Sequence, residues 1–457
     1  MACSPVGFMT TKSDAGVSLS DMSIEALRAR EYGSTLRLIE ELGDKCARPV
    51  TDDTKDRSSY RSYMAGYTSD GLDLFTRMDI PDGSSPENGF PVVVFAHGWV
   101  GIDDAPDYHF GCSETSIYGD AIDAYTRAGF VVLSPGYRGH GNVKGVSADG
   151  IWDMQKWDNG SYLMPSFYAI DVINLIGGLP SIERLELPDM EGRQVSIDKD
   201  RLYLTGHSQG GDVALTVLAA TGEEAKSGID ISAASIWSGN IPDRFTQLET
   251  FYPMQVTPDA FMSGDGTWTG SATGQNGEIN SNFVFGYPPA WIGTTDQSEW
   301  TWQKESWSKA SVKEALEIKY TQMYDTVNTH LDDADDAEFS IVETSSGLQL
   351  THDERIVQGM SHIGGYNKVG FLKETLALHF SDRDFYSLPR WNKDLCDRIN
   401  RTQGHCMAFE YPGNTHLLTA SEHAWFSPQG TVPGYEYLIR RDIELFSGKD
   451  PEDIPYP

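Results

Sequence analysis

One serine of this chain lies in a setting that suits a nucleophile. Ser208 is the centre of the pentapeptide Gly206-His207-Ser208-Gln209-Gly210, between a strand-like run at 201–205 and a helix-like run at 212–220. A serine hydroxyl is a weak nucleophile at neutral pH, so it must be held rigidly beside a base. A tight strand-to-helix turn would hold it so, and only residues without side chains fit two positions before and after it. The pattern therefore predicts a catalytic serine; the alternative is a glycine-rich turn with an incidental serine.

A second motif could supply the hydrogen-bond donors that such a serine needs. The run at 91–96 is apolar and β-branched, which is typical of a strand buried on both faces, and it ends in His97-Gly98-Trp99. This sequence resembles the HG-x loop of α/β-hydrolases, in which the residue after the glycine offers its backbone N–H to the developing oxyanion. The resemblance implies that the donors are the backbone N–H groups of Trp99 and Gln209. Each such donor contributes on the order of 3 kcal/mol to transition-state stabilisation.

Strand-like and helix-like segments alternate between these two motifs. The run at 129–135 indicates a buried strand, and the following Gly136-Tyr137-Arg138-Gly139-His140-Gly141 resembles the RGHG loop of many α/β-hydrolases. Apolar residues spaced three or four apart predict helices over 117–128 and 168–179. This alternation is typical of right-handed crossovers in a doubly wound sheet. We therefore expect an α/β fold of the α/β-hydrolase type with a mostly parallel sheet, in which Arg138 and His140 are loop scaffolding.

The loop after a late strand-like run at 374–380 contains two aspartates that could orient a catalytic base. The stretch at 381–389 resembles the acid loop of prolyl-oligopeptidase-like and dienelactone-hydrolase-like proteins, in which an aspartate lies a few residues before a proline. The position of Asp384 relative to the Tyr-Ser-x-Pro stretch favours it as the orienting acid. Asp382 is the alternative.

A histidine that follows the last predicted strand, at 407–411, is the candidate base. The glycine-containing loop at 412–416 ends in His416. The resemblance places the catalytic histidine of α/β-hydrolases in a loop of this kind, after the serine and the acid in chain order. His405 and His423 are the alternatives.

Length and composition agree with one large domain that carries an insertion, and the resemblance implies that this domain is a hydrolase core. The chain divides into an N-terminal extension at 1–58, a first core part at 59–240, an inserted lid at 241–350 and a second core part at 351–457. The extension is predicted to contain an amphipathic helix whose apolar residues are Ile24, Leu27, Leu36, Leu38 and Ile39. The lid holds five tryptophans, which could line an acyl pocket or pack a small core of the insert itself: Trp268, Trp291, Trp300, Trp302 and Trp307.

Net charge and motif content limit the kinds of partner and cofactor that this protein is expected to bind. The net charge of −32, from 67 acidic and 35 basic residues, argues against nucleic acid or an anionic membrane surface. We expect a small-molecule or polymeric ester as substrate instead. The chain has no HExxH, CxxC or P-loop motif, so neither a metal nor an organic cofactor is expected. No apolar stretch is long enough to predict a transmembrane span.

The five cysteines favour an oxidising compartment. Cys396 and Cys406 are predicted to pair across a short loop, and Cys46 and Cys112 could form a second disulfide. Disulfides persist in exported proteins, so we expect a periplasmic or extracellular location. The remaining Cys3 follows an alanine, which resembles the end of a bacterial lipobox and implies a lipid anchor at this cysteine.

Together these motifs predict a serine hydrolase that cleaves carboxylic esters through an acyl-enzyme. By the resemblance, His416 takes the proton of Ser208 while Asp384 holds the imidazole tautomer. Two other functions stay open. The acid loop and the segment at 67–72 also resemble serine peptidases of the prolyl-oligopeptidase type, although the segment before the core is too short for their propeller. The other alternative is an inactive hydrolase fold that binds ligands, which the presence of every catalytic residue type disfavours.

Overall fold

The computed structural model of this protein describes residues 16–43, 46, 59–112, 116–158, 163, 166–188, 194–251, 309–345, 347–381, 384, 386–419 and 432–457. The strands within these ranges are β1 (Arg37–Glu41), β2 (Tyr60–Ser69), β3 (Leu72–Pro81), β4 (Phe90–Ala96), β5 (Val131–Pro135), β6 (Asn142–Val143), β7 (Val146–Ser147), β8 (Ile197–His207), β9 (Ala233–Trp237), β10 (Phe339–Thr344), β11 (Gly347–His352), β12 (Thr375–Phe380) and β13 (His405–Glu410). The helices are α1 (Ile24–Arg28), α2 (Ile117–Arg127), α3 (Ile151–Trp157), α4 (Phe167–Gly177), α5 (Gln209–Ala220), α6 (Arg244–Phe251), α7 (Lys309–His330), α8 (Glu354–Met360), α9 (Pro389–Ile399) and α10 (Gly434–Phe446).

One large sheet organises the molecule. Its order is β1-β2-β3-β5-β4-β8-β9-β12-β13. The pairs β1–β2, β2–β3 and β3–β5 are antiparallel, and every pair from β5–β4 to β12–β13 is parallel. The parallel strands therefore end together at one edge of the sheet, which is where open α/β folds bind their ligands.

The sheet lies between two layers of helices because its central strands are apolar on both faces. Every residue of β4 is buried. Its Val92 and Val94 pack in an apolar cluster with α4 and α5, whereas Val93 and Phe95 pack in another with α2 and α10. This division follows from the alternation of side chains along a strand. The predicted α/β fold with a mostly parallel sheet is confirmed.

The strands and helices predicted around the motifs are present, with small shifts in their ends. The runs at 91–96 and 129–135 are β4 and β5, and the predicted strand at 407–411 is β13. The helix after Ser208 begins at Gln209, before the predicted start at 212. Two glycines in its first turn hid this start, since glycine weakens helix propensity wherever it occurs.

The N-terminal extension differs from its prediction. Helix α1 ends at Arg28, and the apolar residues further along belong to the edge strand β1 or lie just before it. In that strand Arg37 pairs with Gly66, and Leu38 pairs with Ala65, in the antiparallel sense. The edge of β2 offers unpaired N–H and C=O groups to any segment beside it, and this pairing overrides a spacing that also suits a helix.

Both predicted disulfides are present, Cys46–Cys112 and Cys396–Cys406. The second joins α9 to β13, the strand that this helix contacts. Cys3 lies outside the described residues, so its lipid attachment stays a prediction. In the part of the chain that the structure describes, no helix is both long enough and apolar enough to span a bilayer.

The predicted lid is described in part. Its residues 241–251, 309–345 and 347–350 form α6, α7 and the β10–β11 hairpin up to residue 350. The five lid tryptophans lie outside the described residues. The three segment boundaries, at 58, 240 and 350, stay predictions.

Candidate active site

Ser208 occupies a strained turn between β8 and α5. Its backbone angles are φ 56° and ψ −119°, a conformation that costs a residue with a side chain about 1–3 kcal/mol. The turn is held by its neighbours: the Ser208 N–H donates to the Trp237 carbonyl at 3.1 Å, and the Asn240 N–H donates to the Ser208 carbonyl at 2.9 Å. Ser208 is partly exposed. The fold thus presents its hydroxyl at the carboxyl edge of the sheet.

The two glycines that flank the serine fit where no side chain could. A Cβ on Gly206 would lie 2.2 Å from the Gly210 carbonyl oxygen. A Cβ on Gly210 would lie 2.2 Å from the Ala96 carbonyl oxygen and 2.4 Å from that of His97. The second contact shows that the turn packs directly on the end of β4. Glycine at these positions therefore brings the serine and the His97-Gly98-Trp99 loop together.

The loops after β12 and β13 bring Asp384 and His416 into contact. The Nδ1 atom of His416 lies 2.8 Å from Asp384 Oδ2. The other carboxylate oxygen of Asp384 accepts the backbone N–H groups of Tyr386 at 2.9 Å and Ser387 at 3.2 Å. A carboxylate accepts hydrogen bonds, so Nδ1 is the donor in this contact, and in the neutral imidazole Nε2 is then the acceptor. This is the tautomer that a general base requires.

The remaining histidine and aspartate candidates are placed as follows. His405 begins β13 and is exposed, so it lies at the amino end of the strand whose carboxyl end leads to His416. The structure therefore does not bring His405 to the Ser208 edge. Asp382 and His423 lie outside the described residues.

A hydrogen-bonded chain that sequence analysis missed connects the loops of the site. The Gly98 N–H donates to Tyr118 Oη at 3.0 Å, and Tyr118 Oη lies 2.9 Å from His207 Nδ1. His207 Nε2 lies 3.3 Å from the His416 carbonyl oxygen. Burial lowers the pKa of His207 well below its usual value, with the nearby His416 ring adding to the effect.

A neutral His207 carries one ring proton, which fixes the direction of this chain. The carbonyl of His416 can only accept, so Nε2 of His207 holds the proton and Nδ1 accepts from the Tyr118 hydroxyl. Tyr118 in turn accepts from Gly98. The chain ties the backbone of the predicted oxyanion loop to the backbone of the base. The position of His207 beside Ser208 was a usable signal in the sequence, whereas nothing marked Tyr118.

The predicted oxyanion residues lie in segments that pass close to the serine. A Cβ on Gly98 would lie 3.3 Å from Ser208 Cβ, so the backbone that leads into Trp99 passes close to the serine. The Trp99 side chain is 51% exposed. Gln209 is the first residue of α5, and N–H groups in a first helical turn have no partner within the helix. Such groups also carry the positive end of the helix dipole, which favours a developing negative charge.

Asp158 is a second feature that the sequence did not reveal. It is 3% exposed, and its Oδ2 accepts from Tyr168 Oη at 3.3 Å and from Gln209 Nε2 at 3.4 Å. Burial raises its pKa to about 6, against the lowering effects of the Arg244 charge and of hydrogen bonds that include one from the Trp99 side chain. The carboxylate therefore contacts the side chains of both predicted oxyanion residues.

The RGHG-like loop has the scaffolding role predicted for it. Arg138 is buried and forms ion pairs with Asp171 at 2.7 Å and Asp153 at 2.9 Å. His140 is buried, and burial lowers its pKa to about 4. The centroid of its ring lies 5.0 Å from that of His97, so the loop packs against the residue that follows β4.

A cavity of about 70 Å³ is lined in part by Gln209. It follows the face of α5 that carries Asp212, Val213 and Thr216. The walls come from several elements and are mostly apolar. The other lining residues are Leu19, Trp157, Leu163, Ser166, Tyr168, Ala169, Ile241, Pro242, Asp243, Arg244, Val327, Leu331, Met360, Ile363 and Gly364.

Comparison with known proteins finds similarity to solved structures and to nothing else. No family model and no curated protein matches the chain. An acetyl xylan esterase from Paenibacillus has 14% identity over 92% of each chain, with a TM-score of 0.46. An acetyl xylan esterase from Thermoanaerobacterium has 13% identity over 88% of this chain and 90% of its own, with a TM-score of 0.41. A thermostable esterase from Pseudomonas putida has 11% identity over 88% and 85%, with a TM-score of 0.41.

At such scores these likenesses carry no information on substrate. The fold rests on the chain's own features, namely the strand order and the strained serine at the end of β8. A partly exposed serine on a strained strand-to-helix turn at the carboxyl edge of a parallel sheet is the nucleophile geometry of the α/β-hydrolase fold. The chain has the α/β-hydrolase fold.

Proposed function

We propose that this protein is a serine hydrolase that cleaves carboxylic esters through an acyl-enzyme intermediate. The observation that carries the proposal is the 2.8 Å contact between His416 Nδ1 and Asp384 Oδ2, at the sheet edge that presents Ser208. A nucleophile, a base with the correct tautomer and an orienting acid in this chain order are what acyl transfer needs. Among the described residues no hydrogen bond joins Ser208 to the His416 ring, and ligand-free sites are often loose in this way.

In the first half of the reaction Ser208 attacks the carbonyl carbon of the ester. Its Oγ forms the new C–O bond while its proton passes to His416 Nε2, and Asp384 stabilises the imidazolium without taking a proton. The carbonyl oxygen becomes negatively charged. The backbone N–H groups of Trp99 and Gln209 bind that oxygen, each with an effect of about 3 kcal/mol on the barrier.

In the second half the bond to the alcohol breaks and the acyl-enzyme is hydrolysed. His416 gives its proton to the departing alkoxide, which leaves as the neutral alcohol. A water molecule then loses a proton to the same nitrogen and attacks the acyl carbon. The second tetrahedral intermediate collapses, the proton returns to Ser208 Oγ, and the carboxylic acid is released.

The proposal is tested by labelling and turnover together. A fluorophosphonate should label Ser208 in the wild type, and peptide mapping identifies the residue. Ser208→Ala should abolish labelling and lower the turnover of nitrophenyl esters by several orders of magnitude, while the circular dichroism spectrum stays the same. Labelling at another residue would refute the assignment. Hydrolysis of aminoacyl anilides in preference to esters would favour a peptidase.

Two disulfides support an exported location for this activity. Disulfides form and persist in oxidising compartments and are rare in a reducing cytoplasm. Cys46–Cys112 and Cys396–Cys406 are both formed. Mass spectrometry of unreduced digests should recover both pairs from protein purified under non-reducing conditions, and free thiols at these positions would remove the support.

A further inference from the structure

We propose that the cavity beside Gln209 is the acyl pocket and that it selects an acyl group carrying a neutral hydroxyl, which Asp212 recognises. This inference rests on the proposed ester hydrolysis and names the class of ester. It concerns the part of the substrate that stays on the enzyme after the alcohol has left.

One residue that lines the cavity is also a proposed oxyanion residue. Gln209 lines it, and the backbone N–H of the same residue is a proposed oxyanion donor. The cavity is also lined by Asp212, Val213 and Thr216, which share a face of α5 with Gln209 because residues three or four apart are neighbours on a helix. An acyl chain whose carbonyl oxygen binds at Gln209 can therefore extend along this face.

The shape of the cavity suits the acyl group better than the alcohol. It is surrounded by α3, α4, α5, α6 and α7 together with residues 360–364, whereas Trp99 does not line it and is 51% exposed. The alcohol must leave before water can attack, and an enclosed cavity would retain it. A volume of about 70 Å³ holds on the order of five water-sized groups. Such a space fits a short acyl chain.

Two polar groups on α5 converge within this mostly apolar space. Asp212 Oδ1 and Thr216 Oγ1 each lie 3.7 Å from the point where a Cβ on Gly364 would be. No hydrogen bond joins the Asp212 carboxyl to any other residue that the structure describes. Burial raises the pKa of Asp212 to about 7. A few polar groups aimed into an apolar pocket are the usual source of ligand specificity.

The charges around Asp212 favour a neutral partner. Arg244 lines the same cavity and its charge lowers the pKa of Asp212, whereas the charge of Asp243 raises it. An ammonium group in the cavity would face Arg244, and a carboxylate would face Asp212 and Asp243. A hydroxyl avoids both conflicts, because it can donate to the Asp212 carboxylate or accept from the protonated acid.

The test compares nitrophenyl esters that differ only by one hydroxyl: butyrate, α-hydroxybutyrate and β-hydroxybutyrate. The wild type should hydrolyse at least one hydroxylated ester with about tenfold higher kcat/KM than butyrate, the size expected of one good hydrogen bond to a charged group. Asp212→Leu should remove that preference and raise the rate with butyrate. Asp212→Asn, which keeps a hydrogen-bonding group of the same shape, should retain part of it.

Asp325→Leu is the matched control, since Asp325 is exposed on α7 and does not line the cavity. It should keep the wild-type preference, and fluorophosphonate labelling should show that every variant has an intact Ser208. Equal rates with butyrate and both hydroxylated esters, unchanged in Asp212→Leu, would overturn the inference and leave the esterase proposal standing. Failure of the wild type to hydrolyse any ester would instead overturn the proposed function.

Discussion

Two histidine–aspartate pairs in this molecule have similar chemistry and opposite surroundings. His416 Nδ1 lies 2.8 Å from Asp384 Oδ2 at the carboxyl edge of the sheet, and the histidine side chain is 14% exposed. His379 Nε2 lies 3.3 Å from Asp442 Oδ1 between β12 and α10, and both side chains are fully buried. In the first pair, His416 Nε2 is the nitrogen that takes up the proton in the proposed reaction. The second pair is enclosed by the core.

The surroundings of the buried pair explain why it has no role in the proposed reaction. His379 Nδ1 lies 2.8 Å from Tyr411 Oη, and Asp442 Oδ2 accepts from Tyr125 Oη at 2.6 Å. Burial lowers the pKa of His379, against the raising effect of Asp442. Both ring nitrogens face protein groups, so the pair joins β12 to α10. A histidine beside an aspartate becomes a base only where one nitrogen can reach a substrate.

The largest effect is expected when the His416–Asp384 pair is broken. Asp384→Asn should lower the turnover of a nitrophenyl ester by about 10⁴-fold, because an amide no longer favours the tautomer in which Nε2 accepts the proton. Steady-state kinetics on protein with an unchanged circular dichroism spectrum measures this. Asp382→Asn is the control and should stay near the wild type. If Asp382→Asn has the larger effect, the two aspartates exchange roles.

Breaking the buried pair should change stability instead of turnover. Asp442→Asn keeps the volume of the side chain but removes the charge that interacts with His379 and accepts from Tyr125, so the free energy of unfolding should fall by about 2 kcal/mol. Urea unfolding measures this, and turnover per fluorophosphonate-titrated site should stay unchanged. A large loss of turnover with unaltered stability would mean that the buried pair takes part in catalysis.

Breaking the hydrogen-bonded chain that runs from Gly98 to His416 should have a smaller effect, which is confined to kcat. Tyr118→Phe removes the hydroxyl between Gly98 and His207, which loosens the oxyanion loop and the base without changing the substrate pocket. We expect kcat to fall roughly tenfold with KM unchanged, in line with the loss of one or two neutral hydrogen bonds. Tyr203→Phe is the matched control, because Tyr203 packs on Phe446 far from the site. Equal kcat in the two variants would contradict a positioning role for Tyr118.

A pH dependence of stability is expected from Asp212. Its pKa in the folded protein is about 7, raised by burial from the ordinary 3.8. Between these values the folded state keeps a proton that the unfolded state has lost, so this group makes stability fall as pH rises from about 4 to about 7. In Asp212→Asn that part of the slope should disappear. Urea midpoints measured across this range test it, and identical slopes in the two proteins would contradict the raised pKa.

The sequence by itself determined the serine turn and the strands on which the site depends. The glycines at 206 and 210 lie only two positions from Ser208 in the chain, and backbone sterics within a few residues leave little choice at such a turn. The apolar runs of β4, β5 and β8 are also local signals, because a strand buried on both faces must be apolar throughout. Local rules of this kind need no knowledge of distant segments.

Sequence reasoning was weaker where a choice depended on a distant partner. The apolar residues at 36–39 suit a helix by their spacing, yet pairing with β2 makes a strand of them. His379 and Asp442 carry the same residue types as His416 and Asp384, so composition could not tell the enclosed pair from the exposed one. The resemblance to α/β-hydrolases singled out His416 and Asp384, and the catalytic role of these two residues stays a proposal.

Only the tertiary structure decided which side chains meet around Ser208. Tyr118 comes from α2 and Asp158 follows α3, and neither shows a local pattern that marks it. Asp212 reads in the sequence as an ordinary acid in the first turn of a helix, where the helix dipole favours negative charge. Residues of α4, α6 and α7 line the same cavity as Asp212, and burial raises its pKa. Backbone conformation follows from neighbours in the chain, whereas burial and electrostatics follow from neighbours in space.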